Sequence, residues 1–163
     1  MTDGSMLPTC SSYSPMPEIE FTIDISASAA RVWDILSDFP AYPSWNPFIR
    51  SISGTQSAGS RLNVTIQPQG GRPMAIAPTL LNFSPSKELR WKGQLLVPGV
   101  FDGEHYFQLS ERAHGSVCLT HGEVFGGMLV PIFFRGALRR GTELGFQAMN
   151  QALKQRAESK DTT

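Results

Sequence analysis

The chain has 163 residues, 40% of them hydrophobic and 17% charged, with 14 basic side chains against 14 acidic ones and no net charge. That length and mix suit one domain with a real core. The balanced charge, with no basic run longer than Arg139–Arg140, argues against a nucleic-acid partner. No stretch approaches the about 18 apolar residues of a membrane-spanning helix, and Met1–Pro17 lacks the basic and apolar regions of a secretion signal. Cys10 and Cys118 lie far apart without metal-type spacing, which reads as free thiols in a reducing, cytoplasmic setting.

Residues 1–17 are rich in proline and serine, and the expectation is a disordered tail, with a second short tail at 159–163. From Glu18 to Ser26 apolar and polar residues alternate strictly, with Ile19, Phe21, Ile23 and Ile25 on one face of a strand. Ser28 can cap a short helix carrying Ala29, Val32, Trp33 and Leu36, which Phe39-Pro40 ends. The prolines and aromatics between Asp38 and Pro47 predict a second, one-turn helical segment packed over the core. Strands follow at 48–55, 61–67, 74–83, 88–97, 101–109 and 117–125, joined by hairpin-length turns, which makes the sheet antiparallel. Pro78 inside the third of these marks an edge or a bulge.

A long helix is predicted over Pro131–Glu158, roughly 25 residues and close to 40 Å. Leu138, Gly141, Gly145, Met149 and Ala152 share one face, widened by Phe134, Phe146 and Leu153. Each interior glycine costs roughly 1 kcal/mol against alanine. Close packing against the sheet or room for a ligand could offset it. The fold class is thus α+β: a curved antiparallel sheet of about seven strands, two short helices after strand one, and a long C-terminal helix on which the sheet closes.

The segments Trp33-Asp34-Ile35-Leu36-Ser37-Asp38-Phe39 and Tyr42-Pro43-Ser44-Trp45-Asn46-Pro47-Phe48-Ile49 resemble the opening of the START-like superfamily, which includes polyketide cyclases and dehydrases, Bet v 1-type proteins and lipid carriers. Gly103–Phe107, Leu119–Gly126, Gly145-Phe146 and Met149-Asn150 are similar to small members of it, so the resemblance runs from Glu18 to Glu158. It implies a helix-grip fold with an apolar cavity between sheet and helix, a space that hosts carriers, receptors and enzymes alike.

Alternation puts Trp91, His105, Phe107, Leu119, His121 and Glu123 on the helix-facing side of their strands. Registers near Trp91 opposite His105, and His105 opposite His121, would line these three up, with Glu123 beside Gly103. His105, His121 and Glu123 are the candidate catalytic residues, as general acid or base in an apolar pocket; a structural polar network is the plainer alternative. Trp91, Phe107, Leu119, Leu138, Gly141, Gly145 and Met149 are the expected walls of an enclosed apolar cavity of several hundred Å3, about the size of small-molecule sites. Trp45 and Asn46 are expected at its mouth, or else as core. No metal-ligand motif, phosphate-binding loop or Gly-x-Ser-x-Gly elbow is present, and no cofactor is called for. The apolar run Met128–Phe134 beside Arg135, Arg139 and Arg140 could touch a membrane transiently without inserting stably, or be a buried helix start. The expected partner is an apolar small molecule such as a lipid, polyketide or aromatic metabolite; the alternative is a cyclase- or dehydratase-type enzyme. Oligomeric state is left open.

Overall fold

The computed structural model describes residues 17–95, 98–133 and 135–159. Strand β1 (Glu18–Ile25) follows its alternation: Ile19 and Ile25 are buried, Phe21 and Ile23 pack on the core, and Thr22 and Asp24 face outward. Helix α1 (Ala29–Ser37) starts where Ser28 Oγ accepts the backbone N–H of Arg31 at 3.2 Å, and it buries Ala29, Val32, Trp33, Ile35 and Leu36. A 3-10 turn (Phe39–Ala41) and the one-turn helix α2 (Tyr42–Trp45) follow, with the Tyr42 hydroxyl donating to the Leu36 carbonyl at 2.8 Å. Asn46 then ends the helical segment: its Oδ1 accepts from the backbone N–H groups of Phe48 and Ile49 at 2.9 and 2.8 Å.

Seven more strands follow: β2 (Ile49–Gly54), β3 (Leu62–Ile66), β4 (Met74–Ile76), β5 (Thr79–Ser84), β6 (Glu88–Leu95), β7 (Phe101–Glu111) and β8 (Val117–Gly126). They pair antiparallel in the orders β1-β8-β7-β6-β5 and β2-β3-β4. The expected strand 74–83 is therefore two, parted at Ala77-Pro78, where proline has no N–H for a ladder. Leu62 N–H to Pro78 O and Leu80 N–H to Ser60 O, both 2.8 Å, join the two pieces across that break.

The outer face of the large sheet is polar and ordered. Tyr106 lies over Gly122, where a Cβ would come within 2.4 Å of its ring, and its hydroxyl reaches Glu18 Oε1 and Glu20 Oε2, each at 2.6 Å. Arg90 stacks on the same ring at 4.6 Å and pairs with Glu88 and Glu104. Tyr106→Phe should cost about 1.5–3 kcal/mol, the worth of a hydrogen bond to a charged group. Urea unfolding of the two proteins measures it.

The C-terminal helix departs from expectation at its start. Val130–Phe133 forms the short helix α3, and α4 begins at Ala137 and ends at Glu158. Gly136, at φ 61° and ψ −126°, turns the chain between them in a conformation open to glycine. With 22 residues α4 is about 33 Å long, and it packs against β1, β8, α1 and α2. Its buried residues are Gly141, Thr142, Gly145, Phe146, Met149, Asn150, Leu153 and Ala157, while Leu138 and Ala152 are only half-buried. Phe134, Cys10 and the expected tails other than Pro17 and Ser159 lie outside the described residues.

Candidate functional site

The face predicted for β6, β7 and β8 is the face observed: His105 is 4% exposed, His121 0% and Trp91 2%. The register differs. Trp91 does stand opposite His105, but His105 stands opposite Glu123, and His121 opposite Phe107. The cause is the turn before β8, where Arg112 N–H donates to Ser116 O at 2.8 Å and His114 and Gly115 take positive φ. That closure centres the turn on His114 and moves the pairing by two residues, which preserves the face of every side chain. Glu123 still reaches Gly103, diagonally: a Cβ on Gly103 would fall 2.3 Å from Glu123 Oε1.

These side chains form one polar line through an aromatic interior. Glu123 Oε2 stands 3.5 Å from His105 Nδ1, His105 Nε2 meets His121 Nε2 at 3.0 Å, and His121 Nδ1 meets Asn150 Oδ1 at 2.7 Å. The Trp91 indole stacks on His105 with rings 4.7 Å apart and 3° from parallel, and Phe146 stacks on His121 at 4.0 Å and 12°. Phe107 contacts both imidazoles. Burial holds His105 down to about 3. It also holds His121 well below its ordinary value, with His105 pushing the same way and the Asn150 bond opposing. Burial raises Glu123 to about 8, although its side chain keeps 19% of its surface accessible. Both imidazoles are thus neutral at pH 7 while Glu123 is mostly protonated, and Glu123 is the end of the line that meets the outside.

Asn150 was not among the candidates. It sits one turn after Phe146 on the buried face of α4, a polar residue where the helical period puts apolar ones, and the same period count that found Phe146 points to it.

The expected cavity walls are mostly filled core. A space of several hundred Å3 would leave accessible surface on its lining, yet Trp91 is 2% exposed, Phe107 1%, Leu119 0% and Met149 0%. His105, His121 and Phe146 occupy the interior in its place. The glycines of α4 serve close approach. A Cβ at Gly141 would come 2.8 Å from Gln69 O, and one at Gly145 would come 2.3 Å from the Phe48 ring, which packs on Phe146 at 5.2 Å. Gly145→Ala should therefore destabilise the protein by about 1–3 kcal/mol, as overpacking does; a thermal melt equal to wild type would show that Phe48 moves aside freely. Leu138 lines a surface cleft of about 230 Å3 with Pro68 and Met74, and Gly145 lines another of about 300 Å3 with Pro47 and Ala148. Trp45 and Asn46 hold the turn into β2, and among the described residues Trp45 Nε1 and Asn46 Nδ2 have no hydrogen-bond partner. Among the described residues, no group of three or more His, Cys, Asp and Glu is arranged to hold a metal ion.

A curved antiparallel sheet gripping one long helix, with His105, His121 and Glu123 turned toward that helix, is a helix-grip fold. The chain belongs to the family described as polyketide cyclase / dehydrase and lipid transport, which it matches over residues 16–158. Its fold is that of the Zhui aromatase/cyclase from Streptomyces sp. R1128, with TM-score 0.71 and 18% identity over 88% of this chain and 94% of that one. A START superfamily protein from Mycobacterium smegmatis gives TM-score 0.67 at 20% identity over 86% and 97%. Ara h 8.0201 gives 0.66 at 13% over 89% and 99%. A search of curated proteins returns no match.

Proposed function

We propose that this protein binds an apolar small molecule, a lipid, polyketide or aromatic metabolite, on the helix-covered face of its sheet, with the ligand's polar end at Glu123. The observation that carries this reading is the polar line itself, whose outer carboxyl is partly accessible and whose other members are enclosed by aromatic rings. Gly93 and Gly103 pair across β6 and β7; the carboxyl fills the space over Gly103, and Gly93 beyond it stays bare beside Pro78 and Ile76. Bare positions within strands are where a ligand can approach closely, and an apolar surround with a few converging polar groups is the chemistry of small-molecule sites. Family membership supports the same reading. Titration with N-phenyl-1-naphthylamine tests it: saturable binding is expected, weakened roughly ten-fold in Glu123→Leu. Binding indifferent to that change would place the ligand elsewhere.

A second reading, acid–base catalysis of cyclase or dehydratase type, is favoured by Glu123 titrating near neutrality with two imidazoles behind it. For a ligand that is also turned over, His121→Ala should remove turnover while leaving binding nearly intact. Transient membrane contact fits Met128 and Ile132, 80% and 68% exposed, beside the exposed Arg135 and Arg140. Among the described residues no helix is long and apolar enough to cross a membrane. Cys118, a buried free thiol, supports a reducing, cytoplasmic setting.

A further inference from the structure

The polar line has a direction, and the direction selects the ligand's end group. A neutral imidazole carries one N–H and one lone pair, so each contact along the line constrains the next. Asn150 offers Oδ1 to His121 Nδ1 at 2.7 Å, and the proton of His121 therefore sits on Nδ1. His121 Nε2 is then a lone pair, and the N–H that fills the 3.0 Å contact belongs to His105 Nε2. His105 Nδ1 is in turn a lone pair facing Glu123 Oε2 at 3.5 Å, longer than a direct O–H···N bond, a spacing at which a neutral carboxyl is tolerated and an ionised one is repelled. What remains is Glu123 Oε1, a carbonyl-type acceptor lying over Gly103, and no donor among the described residues reaches it.

We propose that Asn150 fixes both histidine tautomers, so that Glu123 presents a bare acceptor oxygen and the protein takes an apolar ligand whose foremost group is a hydroxyl or N–H donor. The inference rests on the ligand site proposed above and adds the class of end group. Asn150 acts here as a positioning residue, through His121 and His105. The burial that keeps the imidazoles neutral and Glu123 protonated agrees with this order of bonds. An ionised Glu123 would need His105 to donate from Nδ1 and would reverse every bond behind it.

Three naphthalene probes of nearly one shape separate the outcomes: 2-naphthol, which donates a hydrogen bond, and 2-methoxynaphthalene and 2-naphthaldehyde, which only accept one. 2-Naphthol should bind roughly ten-fold tighter than either of the others, the effect of one hydrogen bond to a buried group, even though the methoxy compound is the more apolar. Glu123→Gln should keep that preference, because its amide can donate to His105 Nδ1 and still present an oxygen; Glu123→Leu should level the three. Long-range 1H–15N spectra should show His121 protonated at Nδ1 and His105 at Nε2, and Asn150→Leu should disturb both tautomers and reduce the preference. Equal affinities, tighter aldehyde binding or the opposite tautomers would overturn the direction of the line. If all three probes bind equally in wild type yet weaken in Glu123→Leu, the ligand site stands and only this inference falls. If none binds, or none responds to Glu123→Leu, the site falls and the inference with it.

Discussion

Between pH 5 and 9 the contribution of Glu123 to wild-type stability is expected to fall with rising pH, and Glu123→Gln should remove that fall. The ordinary value of this carboxyl is 4.5, and burial raises it to about 8 in the folded protein. Unfolded chains therefore release its proton at a pH where the folded protein still holds it. Its contribution is fully present below about 4.5 and is lost as pH climbs through 8, amounting to on the order of 4 kcal/mol across the window. The histidines act in the opposite sense and at lower pH. His105 is held down to about 3 from 6.5, so its contribution is present above 6.5 and is lost as pH falls toward 3. With two such histidines against one carboxyl, stability should peak near pH 6.5, where the opposing slopes meet. Urea unfolding of wild type and Glu123→Gln at a series of pH values isolates the carboxyl, since every other group is common to both. Parallel curves above pH 6 would show that Glu123 ionises in the fold without penalty.

Phe146→Ala should be among the most damaging single truncations in the molecule, at about 3–5 kcal/mol. Phe146 is 0% exposed, stacks on His121 at 4.0 Å, and meets His105 at 5.1 Å and Phe48 at 5.2 Å. Its removal leaves a void between α4 and the sheet and takes away the ring that orders His121. Denaturant unfolding measures the loss, and the imidazole NMR signals of the same variant should broaden or shift. A cost below about 1 kcal/mol would mean that α4 is held chiefly by its C-terminal half, where Leu153 and Ala157 are buried.

Much of this was legible because it depends on period alone. The alternation of β1, the Ser28 cap of α1 and the inward phase of Trp91, His105 and His121 each follow from local spacing, and a register error of two residues leaves a strand's faces unchanged. What was not legible depends on closure and volume. The pairing of His105 with Glu123 is set by how the turn at 112–116 closes, which residue types there do not state. Gly136 could have continued the helix at a modest cost or broken it by taking a positive φ, and only tertiary packing decides between them. The same holds for the interior. Gly141 and Gly145 read either as close approach or as ligand room, and a Cβ at each would meet Gln69 or Phe48, which is the geometry of close approach. Asn150 was visible as a polar residue on a buried stripe, but its partner, His121, is 29 positions away.

The most direct measurement of where this protein holds a ligand is amide and side-chain NMR during titration with 2-naphthol. Shift changes should centre on Glu123, Gly103, Gly93 and His105, and should fade toward the surface clefts at Pro68–Gly71 and at Arg31–Asp38. Changes centred on either of those clefts, with Glu123 and His105 unmoved, would contradict a ligand site at the end of the Asn150–His121–His105–Glu123 line.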